Sequence, residues 1–204
     1  MNLYKKNLKK LTEKNIYNSK DEHDACGVGF IASTDGKKSR KVVELGIQAL
    51  KAVWHRGAVD SDGKTGDGAG IHIEIAKDFF IERIENAGRR HDQGDICVGM
   101  IFLPRNDYIA QEKCKTIVEN ELINKNYYIY RWRQVPVNTK VLGIKAESNR
   151  PEIVQVIFKS NKINLRDEEL ERDLFVIRKK IEKKSSLLKL NDFYISSFSS
   201  RSII

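Results

Sequence analysis

Hydrophobic and polar positions follow two rhythms along this chain. Apolar residues at every second position mark half-buried strands, and apolar residues three or four apart mark helices. Residues 95–103 are almost unbroken in apolar character, from Ile96 to Leu103, and Pro104 ends the run. This reads as a strong apolar strand. Residues 152–159 and 193–198 read as further strands, and the aromatic stretch 127–137, broken by Pro136, reads as a strand leaving its sheet. Ile71, Ile73 and Ile75 alternate with His72 and Glu74, so residues 70–76 read as a half-buried strand. Near the start, Cys26-Gly27-Val28-Gly29-Phe30-Ile31-Ala32 opens a small-residue apolar run, and residues 26–34 read as the first core strand, followed by an Asp35-Gly36 turn.

The helical rhythm is as plain. Behind Ser39, a good N-cap, Val42, Val43, Leu45, Ile47, Leu50 and Val53 form a broad apolar stripe, and Gly57 is the expected stop. Residues 77–88 read as a helix stopped by Gly88. Residues 106–126 read as a helix with Ile109, Ala110, Cys114, Ile117, Val118, Leu122 and Ile123 inward. Residues 165–184 form the clearest helix: Leu170, Leu174, Ile177 and Ile181 share one face, with acids in the first turn and bases in the last, as the dipole favours. Strands and helices mixed with antiparallel turn signals make the fold α+β or α/β, with α+β the expectation carried forward. Residues 1–25 are polar and weakly amphipathic, and stand apart as a leader before a domain spanning 26–204.

Composition excludes several functions. The net charge of +9 comes from scattered lysines, with no aromatic-and-arginine stripe, so nucleic acid is not an expected partner. No segment has the apolar length of a membrane span or a secretory signal. The three cysteines, Cys26, Cys97 and Cys114, show neither a Cys-x-x-Cys pair nor a metal-ligand spacing, which suits a reducing compartment and a cytoplasmic protein. Cys97 and Cys114 fall in apolar patterns and read as inert core thiols. Gly63-Lys64-Thr65 suggests a phosphate loop, but that motif places its first glycine at position 58, which is Ala58, and needs a strand before it and a helix after. The better account of residues 57–70 is a glycine-rich loop folded back on itself.

Cys26 is the candidate for chemistry. A cysteine at a strand start is ordinarily a small buried hydrophobe. If the leader is removed before it, however, one residue carries both a thiol and a free α-amine. An α-amine has a pKa of about 7.7–8.0, so near neutral pH it can take the thiol proton. While Ala25 is attached the same nitrogen is an amide and cannot.

Three segments carry a family resemblance: Cys26-Gly27-Val28-Gly29-Phe30, His55-Arg56-Gly57-Ala58-Val59-Asp60, and Asp62-Gly63-Lys64-Thr65-Gly66-Asp67-Gly68-Ala69-Gly70-Ile71. Together they resemble the class II glutamine amidotransferase domain of glutamate synthases. The first two are shared across class II amidotransferases; the third is narrower. The resemblance implies a four-layer α-β-β-α sandwich of the N-terminal-nucleophile hydrolase type, here incomplete at its C-terminus. It implies Cys26 as nucleophile, and Arg56 and Gly57 in the pocket for L-glutamine. Apart from the resemblance, Arg56 reads as an arginine at a helix end. In the family an Asn-Gly step supplies the oxyanion donors, and this chain contains no Asn-Gly pair. The resemblance also implies FMN and an iron–sulfur cluster in later domains, no cofactor in this segment, and synthase domains or a small subunit as partners. The alternatives are another class II amidotransferase, or a truncated remnant that lacks its oxyanion hole and does not catalyse.

Overall fold

The computed structural model describes residues 6–7, 27–54, 57–162 and 165–204. The expected boundary between leader and domain, at 25 and 26, lies outside the described residues. Two compact units divide the chain between Ala58 and Val59.

In the first unit the Asp35-Gly36 turn forms as expected. Gly36 has φ of +68° and donates its N–H to Ser33 O, while Asp35 Oδ1 accepts the Lys37 N–H at 3.0 Å. Ser39 then caps helix α1 (Arg40–Ala52), its hydroxyl accepting the Val42 N–H at 3.4 Å. This satisfies one of the amides left free in a first turn. The helix ends at Ala52, short of the stop expected at Gly57, because Val53 takes the cap position at φ −93°, ψ 14°. None of the stripe residues on α1 is buried. Nor do residues 27–33 form the expected strand: Val28 is 94% and Phe30 90% exposed. A strand exists by pairing its N–H and C=O groups with a neighbour. No described strand pairs with this segment.

The second unit contains strand β1 (Ile73–Glu74), helix α2 (Lys77–Glu85), strand β2 (Ile96–Leu103), helix α3 (Tyr108–Asn124), strand β3 (Tyr127–Gln134), a 3-10 turn (Thr139–Val141), helix α4 (Ile144–Asn149), strand β4 (Glu152–Ser160), helix α5 (Asp167–Leu187), and strands β5 (Tyr194–Ser199) and β6 (Ser202–Ile203). Four strands make one antiparallel sheet in the order β3-β4-β2-β5, and β1 pairs with β6 in a second. The α+β class and the antiparallel pairing therefore hold.

Strand β2 has neighbours on both sides and apolar residues on both faces. On one face Cys97, Ile101 and Leu103 join Val156 and Phe158 of β4 against α3 and α5. On the other, Ile96 and Val98 join Tyr130 and Ile157 against Phe80 and Ile84 of α2 and Ile203 of β6. Gly99 stands opposite Val156 and Phe198, and a Cβ there would approach both side chains to 2.7 Å. Glycine at that position is what lets the two flanking strands' side chains meet over the sheet.

The helix caps repeat the sequence logic. Gly88, at φ +72°, follows α2, and the Arg89 N–H returns to Ile84 O. Glu169 reaches back to the Arg166 N–H at 3.2 Å to start α5. Leu170, Leu174, Ile177 and Ile181 are all buried, as the stripe predicts.

Helix α3 corrects its prediction. Ile109 is 72% and Ile123 62% exposed, and Gln111 and Glu121 lie inward instead. Both polar groups are compensated, as buried polar groups must be. Gln111 Nε2 donates to Pro104 O at 2.7 Å, and Glu121 pairs with Lys184 of α5. Strand β1 is shorter than residues 70–76 because its partner β6 spans only Ser202–Ile203; one further bond runs from the Ile75 N–H to Arg201 O at 2.9 Å. The turn before β6 is held by Glu171 of α5, whose carboxylate accepts the Ser200 N–H at 2.7 Å and the Ser199 hydroxyl at 2.9 Å. At the far end of the sheet, Arg89 Nη1 donates to Ile129 O of β3 at 2.8 Å.

Leu174 is fully buried in the helix-side core. Leu174→Ala is expected to lower the unfolding free energy by about 2–5 kcal/mol, measured by urea denaturation. A loss within experimental error would contradict this packing.

Candidate active site

Of the residues expected in the site, Cys26 and Arg56 lie outside the described residues, and Gly57 is described. Gly57 is exposed and donates its N–H to Trp54 O at 3.0 Å, closing the turn after α1. A Cβ at Gly57 would stand 3.3 Å from that same oxygen, tighter than ordinary contact. The turn therefore favours the smallest residue, and leaves the backbone open for close approach.

Beyond Ala58 the chain folds back, as the glycine-rich composition implies. Val59 and Gly66 form an antiparallel bridge, and the Asp60 N–H donates to Thr65 O at 2.7 Å. Gly63, at φ +68°, makes the reversal and donates to Asp60 O at 2.9 Å. Inside the turn, Asp62 Oδ1 accepts the Lys64 N–H at 2.9 Å and the Thr65 N–H at 2.7 Å. Its Oδ2 accepts the Thr65 hydroxyl at 2.5 Å. This is an aspartate turn, in which a short side chain substitutes for a backbone acceptor. It also disposes of the phosphate-loop reading on physical grounds: the Lys64 and Thr65 amides that would face a phosphate already serve Asp62.

Electrostatics follow the geometry. The Thr65 hydroxyl, with the Thr65 and Lys64 amides, holds the Asp62 carboxyl well below the usual range. The Lys145 ammonium lies 2.7 Å from both oxygens of Asp60 and, with the Ser61 amide, lowers that carboxyl too. The first of these has a local signal, since Asp-x-x-Thr is an aspartate-turn pattern. Lys145 has none, being remote in the chain.

The remaining thiols are set against chemistry, as the apolar patterns around them imply. Burial pushes Cys97 far above the thiol range and Cys114 up to about 11, so neither is a thiolate near neutral pH. Among the described residues, no group of three or more His, Cys, Asp or Glu side chains is placed to hold a metal ion. No described helix is long and apolar enough to cross a membrane.

A family model, that of the class-II glutamine amidotransferases, matches residues 26–204. The chain belongs to this family. Its similarity narrows further: it is 55% identical over 201 residues to the glutamate synthase [NADPH] large chain of Azospirillum brasilense, covering 98% of this chain and 13% of that protein. It is 40% identical over 187 residues to the ferredoxin-dependent glutamate synthase of Pyropia yezoensis, covering 90% of this chain and 12% of that protein. With the ferredoxin-dependent glutamate synthase 2 of Synechocystis it shares 37% identity over 185 residues. The chain thus spans about an eighth of the length of these relatives.

The lowered Asp62 carboxyl carries a pH dependence. A depressed folded-state pKa adds stability that is complete above the ordinary aspartate value and is lost as pH falls through the folded one. The 59–66 turn is therefore expected to keep slow amide exchange at Lys64 and Thr65 at pH 5 and to lose it only well into the acid range. An NMR titration checks this: an Asp62 midpoint at or above the ordinary aspartate value would contradict the geometry.

Proposed function

We propose that these residues are the glutamine-hydrolysing portion of a glutamate synthase, with Cys26 as its nucleophile. The observation that carries the reading is the family match, which begins at Cys26 and runs through Ile204. The identity to glutamate synthases over nearly the whole chain supports the narrower assignment. The fold proposed for the complete domain is the four-layer sandwich, to which the antiparallel sheet with α3 and α5 on one face would contribute one helix-backed layer pair.

The chemistry is acyl transfer through sulfur. With the leader gone, the neutral α-amine of Cys26 takes the thiol proton, and the sulfur attacks the side-chain carbonyl carbon of glutamine. The C–N bond breaks, the proton passes to the leaving nitrogen, and ammonia departs. Water then adds to the glutamyl thioester, and the C–S bond breaks to release glutamate and restore the thiol. Arg56 and Gly57 are proposed to line the glutamine pocket. The developing oxyanion needs preorganised donors, and removing one such donor typically costs about 2.7–4 kcal/mol. With no Asn-Gly pair in these residues, the donors are assigned to polypeptide outside them. Ammonia would pass to synthase domains that form glutamate from 2-oxoglutarate. FMN and an iron–sulfur cluster are assigned to those domains, and a small subunit and a cytoplasmic location complete the proposal.

A second reading is a remnant that folds without catalysing. The missing Asn-Gly pair favours it. One experiment separates the two. In the full-length enzyme, intact mass is expected to place the mature N-terminus at Cys26. Cys26→Ala is expected to reduce ammonia release from glutamine by at least about a thousandfold, as losing a nucleophile does. An active enzyme that retains Ala25, or an active Cys26→Ala variant, would overturn the mechanism. A wild-type enzyme that releases no ammonia and takes no label from a glutamine-like electrophile would favour the remnant.

A further inference from the structure

We propose that residues 143–146, at the start of α4, latch the loop that follows Gly57 and act as positioning residues for glutamine binding. The proposal rests on the amidotransferase reading above. Gly143 has φ −76° and ψ 165°, a conformation open to any residue, so backbone freedom does not explain a glycine there. Close approach does. A Cβ at Gly143 would fall 2.2 Å from Thr65 Oγ1, 2.4 Å from Asp62 Oδ2 and 2.5 Å from Thr65 N. The Gly143 backbone thus lies flush against the aspartate turn, and one of those neighbours is itself backbone.

Two more contacts come from the same short segment. Lys145 Nζ bridges both oxygens of Asp60 at 2.7 Å, and the Ala146 N–H donates to Thr65 Oγ1 at 3.3 Å. The Thr65 hydroxyl joins the two segments: it donates to Asp62 Oδ2 and accepts from the Ala146 N–H. Helix α4 is anchored in turn. Arg105, just past β2, donates through Nη1 to Glu147 O at 2.8 Å and pairs through Nη2 with Glu147 Oε1 at 2.8 Å. A continuous chain of bonds therefore runs from the end of the central strand through α4 to Asp60, three residues after Gly57. A loop held at a second point loses less entropy when substrate orders it, which favours ground-state binding over the chemical step.

The test uses the full-length enzyme and three variants: Lys145→Met, Thr65→Val and Lys145→Arg. Two measurements are made, amide hydrogen exchange over residues 60–66 and the kinetics of ammonia release from glutamine. Lys145→Met and Thr65→Val are expected to speed exchange in the loop and to raise KM for glutamine by about three- to tenfold, with kcat within about twofold. Lys145→Arg, which can still pair with Asp60, is expected to restore the parent KM. Faster exchange with an unchanged KM would overturn the positioning role, as would a fall in kcat at constant KM. Unchanged exchange would overturn the latch itself. A parent enzyme that releases no ammonia overturns the proposed function instead, and the exchange measurement then decides the latch alone.

Discussion

The structure depends on one strand being apolar on both of its faces. Strand β2 lies between β4 and β5, and each of the two hydrophobic clusters is built on its alternate residues. Burying both sides of a strand removes roughly twice the apolar area per residue that a half-exposed strand removes, at about 25 cal/mol for each Å². Removing β2 would take Cys97, Ile101 and Leu103 out of the core under α3 and α5, and Ile96 and Val98 out of the core shared with α2 and the β1–β6 pair. Its influence extends past its own end, because Arg105 carries its position to α4 and so to the loop around Asp62.

Where the fold could be read from the sequence, the side chains carried their own burial signal. The four-residue stripe of α5 and the unbroken run of β2 each specify an environment without reference to any other element. Local pattern is a poor guide where burial is decided elsewhere. In α3 the inward positions 111 and 121 are polar, and they are tolerable only because Pro104 O and Lys184 happen to be in reach. The segment 27–33 shows the opposite failure: its apolar pattern states what could be buried, and the described residues offer nothing to pair with it. Periodicity reports a residue's preference and is silent on the supply of partners.

The site divides along the same line. The motifs around Cys26, Arg56 and Gly57 were legible as local sequence and carried the family, although the first two lie outside the described residues. The folded-back loop was legible from its glycines, and the Asp62–Thr65 turn could have been. The contacts from Gly143, Lys145 and Ala146 could not, since they join positions some eighty residues apart, with separations of 81 for Ala146–Thr65 and 85 for Lys145–Asp60. No local pattern encodes such a meeting; it follows from where β2 and Arg105 deliver the helix.

The guanidinium of Arg89 on the Ile129 carbonyl has a consequence for how this protein meets its own copies. Among the described residues strand β3 is a terminal strand of its sheet, and a terminal strand with vacant carbonyls invites another chain to continue the ladder. Here a newcomer would first have to evict a cation from its acceptor, and would then confront that charge without a counterion. Growth of the sheet in that direction is thereby discouraged, which matters most while the polypeptide is still crowded among identical nascent chains.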